Sequence, residues 1–169
     1  MDRNKRKVSA KLDRLLDEKL RDAAREGRPV GKFTVEATHP AGRVSVTAED
    51  ADRLGILVGS VDVRAAGGRP QDIPAQAKKA GRKLNYLQEP LTVVETDARR
   101  GRGILRSDEP RAVEKGREYN EAVLEGGDSI SIHRYRVEPG LRRRPVPSNL
   151  SRDTLRRLVD DLTDILEPD

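Results

Sequence analysis

Gly126 and Gly127 stand side by side between two runs in which apolar and polar residues alternate, and this constrains the fold more than any other feature. Both central positions of a two-residue hairpin take positive φ, which glycine adopts without steric cost. Residues 117–125 and 128–137 are therefore expected as antiparallel neighbours. Alternation continues upstream in Leu91 to Thr96 and Gly103 to Ser107, joined through the turn Asp97–Arg102. Four strands in an antiparallel meander follow from this pattern.

Helical periodicity brackets the meander. Ile73, Ala77, Ala80, Leu84 and Leu87 form one stripe, so a helix is expected over about 72–87, with Asp72 as N-cap and Pro74 in the first turn. Gly81 interrupts it at a cost of up to ~1 kcal/mol, and close approach to a sheet would be one reason to keep it. After a proline-broken linker, 139–147, Ser151 caps a final helix. Its stripe runs Leu155, Leu158, Val159, Leu162, Ile165 and Leu166, with a staple between Leu150 and Leu155.

Ahead of these lies another helix, about Ser9 to Glu26, with Ser9 as N-cap, Leu12, Leu15, Leu16 and Leu20 on one side and Gly27 as the stop. A β segment follows. Phe33, Val35 and Ala37 alternate with polar neighbours, as do Val44 and Val46, and a third strand covers Ile56 to Ala65, ended by Gly67-Gly68-Arg69-Pro70. The expected class is α+β: an antiparallel β-meander of about four strands packed by helices on one face, a smaller N-terminal β segment and an N-terminal amphipathic helix. In domains this divides as a basic arm and helix over 1–28 and one α+β domain over 29–169, the latter separable as a β subunit over 29–68 and an α-β4-α unit over 70–169.

The core has to be aliphatic, since three tyrosines and one phenylalanine are the only aromatics. Absence of cysteine excludes disulfides, thiolate metal sites and thiol nucleophiles. The longest apolar runs are three residues, far short of a membrane span, and the basic N-terminus leads into no signal-like apolar stretch. A cytoplasmic, bacterial-type small domain with no membrane association is the expectation.

The chain carries no phosphate-binding loop, dinucleotide fingerprint, nucleophile elbow or His-Glu-x-x-His pair. His133 with Ser129 or Ser131 is the best nucleophile–base pair to be had, and serine beside histidine in a strand is ordinary polar sheet surface. Carboxylate groups at Glu49–Asp52 and Asp160–Asp164 lack the spacing of a hard-cation loop. No catalytic residue, metal ligand, cofactor or small-molecule cofactor site is assigned, and the chain reads as non-enzymatic.

Arginine is the positive signal. The formal charge is only +5, yet residues 99–147 hold twelve basic and eight acidic side chains and residues 148–169 three basic and six acidic. Arg99, Arg100, Arg102 and Arg106 fall on one hairpin, Arg134 and Arg136 on the last strand, and Arg142, Arg143 and Arg144 in the linker. In neighbouring strands these nine would merge into one anion-binding surface suited to phosphate. Alternatively they face Glu118, Glu121 and Glu125 as cross-strand pairs. Stacking residues for a nucleic-acid platform are few: Tyr119 and Tyr135. With His133, these two also suit a protein contact, because Tyr and Arg concentrate binding energy at interfaces. The function expected first is a protein–protein interaction module, its partner another protein or a second copy. A sequence-nonspecific nucleic-acid binder using the arginine hairpin and linker is the alternative.

Overall fold

In the computed structural model, residues 5–67 and 72–168 are described. Three helices and ten strands follow one another: α1 (Lys5–Arg25), β1 (Phe33–His39), β2 (Gly42–Ala51), β3 (Gly55–Ala65), α2 (Ile73–Lys83), β4 (Leu91–Asp97), β5 (Arg102–Ser107), β6 (Arg111–Val113), β7 (Gly116–Glu125), β8 (Ser129–Val137), β9 (Arg144–Val146), β10 (Ser148–Ser151) and α3 (Arg152–Leu166). The α+β character holds, but the four-strand meander with a small separate β segment does not. All ten strands belong to one antiparallel sheet, whose main path runs β1-β2-β3-β8-β7-β5-β4.

The joint between the halves is β3 on β8, with Val61 opposite Ile132 and Val63 opposite Ile130. That ladder stops at Ser60 and His133. Beyond it the returning chain fills the gap, with β9 pairing along β8 and β10 along β3. Arg144 and Pro145, read as linker, thus lie in a strand.

Local sequence decides the elements as far as it can. Gly126 and Gly127 have φ of 64° and 73°, which makes the β7–β8 turn the two-residue hairpin their chemistry demands. The Asp72 and Ser151 side chains accept from the Ala75 and Thr154 amides and so cap α2 and α3. At α1 the expected cap fails. The helix starts at Lys5, and the Ser9 hydroxyl donates to Asp160 of α3 instead. Arg69 and Pro70 of the predicted strand stop lie outside the described residues. A methyl group on Gly81 would meet Leu105 Cδ2 and the Leu91 carbonyl at 3.8 Å, an ordinary contact, so packing does not require that glycine.

All three helices lie on one face. Val8, Leu12 and Leu16 of α1, Ala77 and Ala80 of α2 with Leu84 just after it, and Leu155, Leu158, Leu162 and Ile165 of α3 share a core with Val44, Val46, Val61, Val63, Leu105, Ala122, Leu124, Ile130 and Ile132. Burying a Leu or Ile side chain contributes about 1.5–3 kcal/mol, so α3, whose buried apolar stripe runs from Leu155 to Leu166, anchors the layer. Ion pairs from Arg152 and Arg156 to Asp13, each 2.7 Å, tie α3 to α1. Among the described residues no helix is long and apolar enough to cross a membrane.

Candidate binding surface

Strand parity sorts the candidate residues onto opposite faces of β7 and β8. Asn120, Ala122 and Leu124 of β7 stand opposite Arg134, Ile132 and Ile130 of β8 and point toward the helices. The alternate residues point away. Tyr119 stands opposite Tyr135, Glu121 opposite His133, and Arg106 of β5 opposite Glu121.

On the uncovered face these side chains form one cluster. The rings of Tyr119 and Tyr135 lie 5.9 Å apart and those of His133 and Tyr135 6.0 Å apart. The Arg143 guanidinium sits 4.0 Å from the Tyr135 ring centroid, and Arg106 5.8 Å from that of Tyr119. Both arginines also grip one carboxylate. Glu121 accepts from Arg106 Nε at 2.6 Å and from Arg143 at 2.8 Å, while Arg143 donates to the Tyr119 hydroxyl at 3.0 Å. Although it is on the open face, Glu121 is only 4% exposed. Burial pushes its carboxyl up, but the hydrogen bonds from Arg143 and Arg106 outweigh this and hold it below the ordinary glutamate value. The Glu121 and Tyr119 bonds raise the Arg143 guanidinium further above its already high value.

Arg134 and Arg136 belong to the other face. Arg134 is 5% exposed and donates to Glu89 at 2.7 and 3.2 Å, to Glu118 at 3.1 Å and to Asn120 at 3.2 Å. Arg136 donates to Glu118 from Nε at 2.8 Å. For Glu118 too, burial acts upward, and the bonds from Arg136 and Arg134 bring the carboxyl below its usual value. Arg134 is enclosed by these partners, whereas Arg136, held by Glu118, keeps its side chain 32% exposed. Glu89, just before β4, is the residue that sequence reasoning missed. Its partner was legible, since Arg134 shares parity with Ile130 and Ile132 and so had to turn inward.

The remaining arginines do not converge. Arg99 and Arg100 lie in the β4–β5 turn, and Arg102 stands opposite Glu125 at the hairpin end of β7. Arg144, paired with Glu138 at 3.3 Å, lies opposite Arg136 and thus level with Glu118, two strands away, at the other end. From Glu118 to Glu125 is roughly 24 Å of strand, so Arg99, Arg100 and Arg102 do not form one patch with Arg144; hairpin and linker meet only through Arg106 and Arg143 at Glu121. Arg100 approaches Asp97 at 3.7 Å, whereas the exposed side chains of Arg99, Arg102 and Arg142 have no acidic partner among the described residues.

His133 stands in one row with Ser60 of β3 and Glu121 of β7, residue types that together serve nucleophilic catalysis. The bonds run elsewhere: Ser60 donates to Asp62 at 3.2 Å, and Glu121 accepts from two arginines. Comparison of the chain with protein-family models, curated proteins and solved structures gave no match.

Proposed function

We propose that the protein is a non-enzymatic protein-binding module whose contact surface is the uncovered face of β5, β7 and β8. The observation that carries this reading is the concentration of two of the three tyrosines, His133, Arg106 and Arg143 in one half-buried cluster. Aromatic and arginine side chains held rigidly by neighbours lose little entropy on binding and supply most of the energy at interfaces. Val137, two residues beyond Tyr135 on the same strand face, adds an apolar rim at 40% exposure. Commitment of Glu121 to two arginines rather than to His133 supports binding over catalysis.

The test is capture from cell extract at high salt with the intact protein, Tyr119→Ala/Tyr135→Ala, and Ser45→Lys/Arg64→Glu on the polar half of the same face. The expected result is one partner that the tyrosine variant loses and the control retains. Equal retention by all three would remove the cluster as the surface.

A second reading, nucleic-acid binding, is favoured by Arg99, Arg102 and Arg142, which have no acidic partner among the described residues. On that reading Arg99→Ala/Arg102→Ala would flatten the salt dependence of DNA or RNA affinity by nearly one unit per lost phosphate contact.

A further inference from the structure

The two edges of the sheet are unlike. On β1, the edge nearest the N-terminus, the outward residues Thr34, Glu36 and Thr38 are polar, and no large apolar side chain is exposed. The opposite edge, β4, contains no basic residue or proline, and its Val93 and Val94 are 45% and 53% exposed. No strand pairs with its outer side among the described residues. Native sheets blunt such an edge with charged side chains, proline, a bulge or a covering element, because a bare row of amides and carbonyls recruits another strand; β4 has Glu95, Asp97 and a bulge, yet keeps two adjacent valines exposed.

Charge at the ends of β4 says which strand. Just beyond its C-terminal end, Arg99 and Arg100 are fixed in the turn by amide hydrogen bonds to Asp97 Oδ1 at 3.0 and 3.1 Å. At its N-terminal end lies the exposed acidic turn of Asp108 and Glu109. The Asp108 amide donates to the Pro90 carbonyl at 3.0 Å, and Leu91 stands opposite Ser107. Neither Asp108 nor Glu109 has an ion-pair partner among the described residues. The edge thus has Arg99 and Arg100 just past one end, the latter 3.7 Å from Asp97, valines in the middle and two carboxylates past the other end, about 20 Å away. An antiparallel pairing of this strand with itself brings each basic turn alongside the other copy's acidic turn.

We propose that β4 pairs antiparallel with β4 of a second copy across a two-fold axis near Val94, joining two sheets edge to edge. Thr92 then faces Thr96, Val93 faces Glu95, and no two like charges stand directly opposite. The bulge that leaves Val94 outside the β5 ladder divides the new ladder into short runs, so the dimer is weak and concentration-dependent. This surface is separate from the aromatic cluster, and the proposal stands whether or not that face binds a protein.

Sedimentation equilibrium of the full chain tests it. The unaltered protein is expected to dimerise reversibly. Val94→Lys, which sets two ammonium groups on the axis at an exposed position, is expected to be monomeric with an unchanged circular dichroism spectrum. Arg99→Glu/Arg100→Glu and Asp108→Lys/Glu109→Lys each make both ends repulsive and are expected to lose about tenfold or more in association constant. Mixed together, the two double variants restore attraction at both ends and form a heterodimer. A monomeric unaltered protein, a Val94→Lys dimer, or two double variants that stay apart on mixing would each overturn the proposal.

Discussion

β7 and β8 carry two arginine–glutamate clusters back to back, one on each face of the same strands. Toward the helices, Arg134 and Arg136 close on Glu118 and Glu89, and Arg134 is 5% exposed. Toward the open side, Arg106 and Arg143 close on Glu121, with the arginines about two-fifths exposed. The chemistry is the same, but the dielectric surroundings differ. A buried pair gains strong attraction and pays heavy desolvation, so it is nearly neutral when whole and costly when broken. An exposed arginine contributes little to stability and stays available to a partner. Burial thus separates Arg134, enclosed in the fold, from Arg106 and Arg143, which the open face leaves accessible, a separation that residue type alone does not give.

The largest effect that sharpens this contrast is expected from Arg134→Met. Leaving Glu89 buried without its partner should cost about 3–5 kcal/mol in urea unfolding, and adding Glu89→Leu should recover most of the loss. A single-variant loss near zero would mean that the two clusters are equivalent.

Next comes the acid limb. Glu118 and Glu121 titrate below their unfolded value near 4.5, so their stabilisation is complete above that pH and disappears as pH falls through the lower folded values. In Glu121→Gln, stability should therefore fall less steeply below about pH 4.5, at a cost of about 1–2 kcal/mol at neutral pH. An acid limb as steep as in the unaltered protein would break the assignment.

The smallest change in stability is expected for Arg143→Ala, under about 1 kcal/mol, because the group is 40% exposed. Yet this variant should weaken partner capture, and binding at full strength would return Arg143 to the class of idle surface charges.

How much of this was legible depended on whether the determinant was local. Gly126-Gly127, Asp72 and Ser151 act within a few residues, and each element they define was placed within a few positions. The covered face of β8 was equally local, written in the parity of Ile130, Ile132 and Arg134. Strand partnership was not. Val61 and Val63 announce a half-buried strand, but nothing in their alternation distinguishes β8 from any other neighbour, and the joint between the halves stayed hidden. Short β6, β9 and β10 hold three or four residues each and owe their strand geometry to the strand beside them. The aromatic cluster was half legible: Tyr119, Tyr135 and His133 were singled out, but the grip of Arg106 and Arg143 on Glu121 depends on register and on the path of the returning chain.

The tie between α1 and α3 has a consequence for how the molecule is made. Arg152 reaches Asp13 across 139 positions of sequence. At translation rates of about 5–20 residues per second, α1 waits roughly 7–28 s for that partner to be synthesised. Meanwhile β1 to β3 can assemble, but the side of β3 later taken by β8 and β10 is bare. The nascent protein therefore carries a bare strand side until β8 is made and a half-docked helix until α3 is made, and both intervals lengthen as elongation slows.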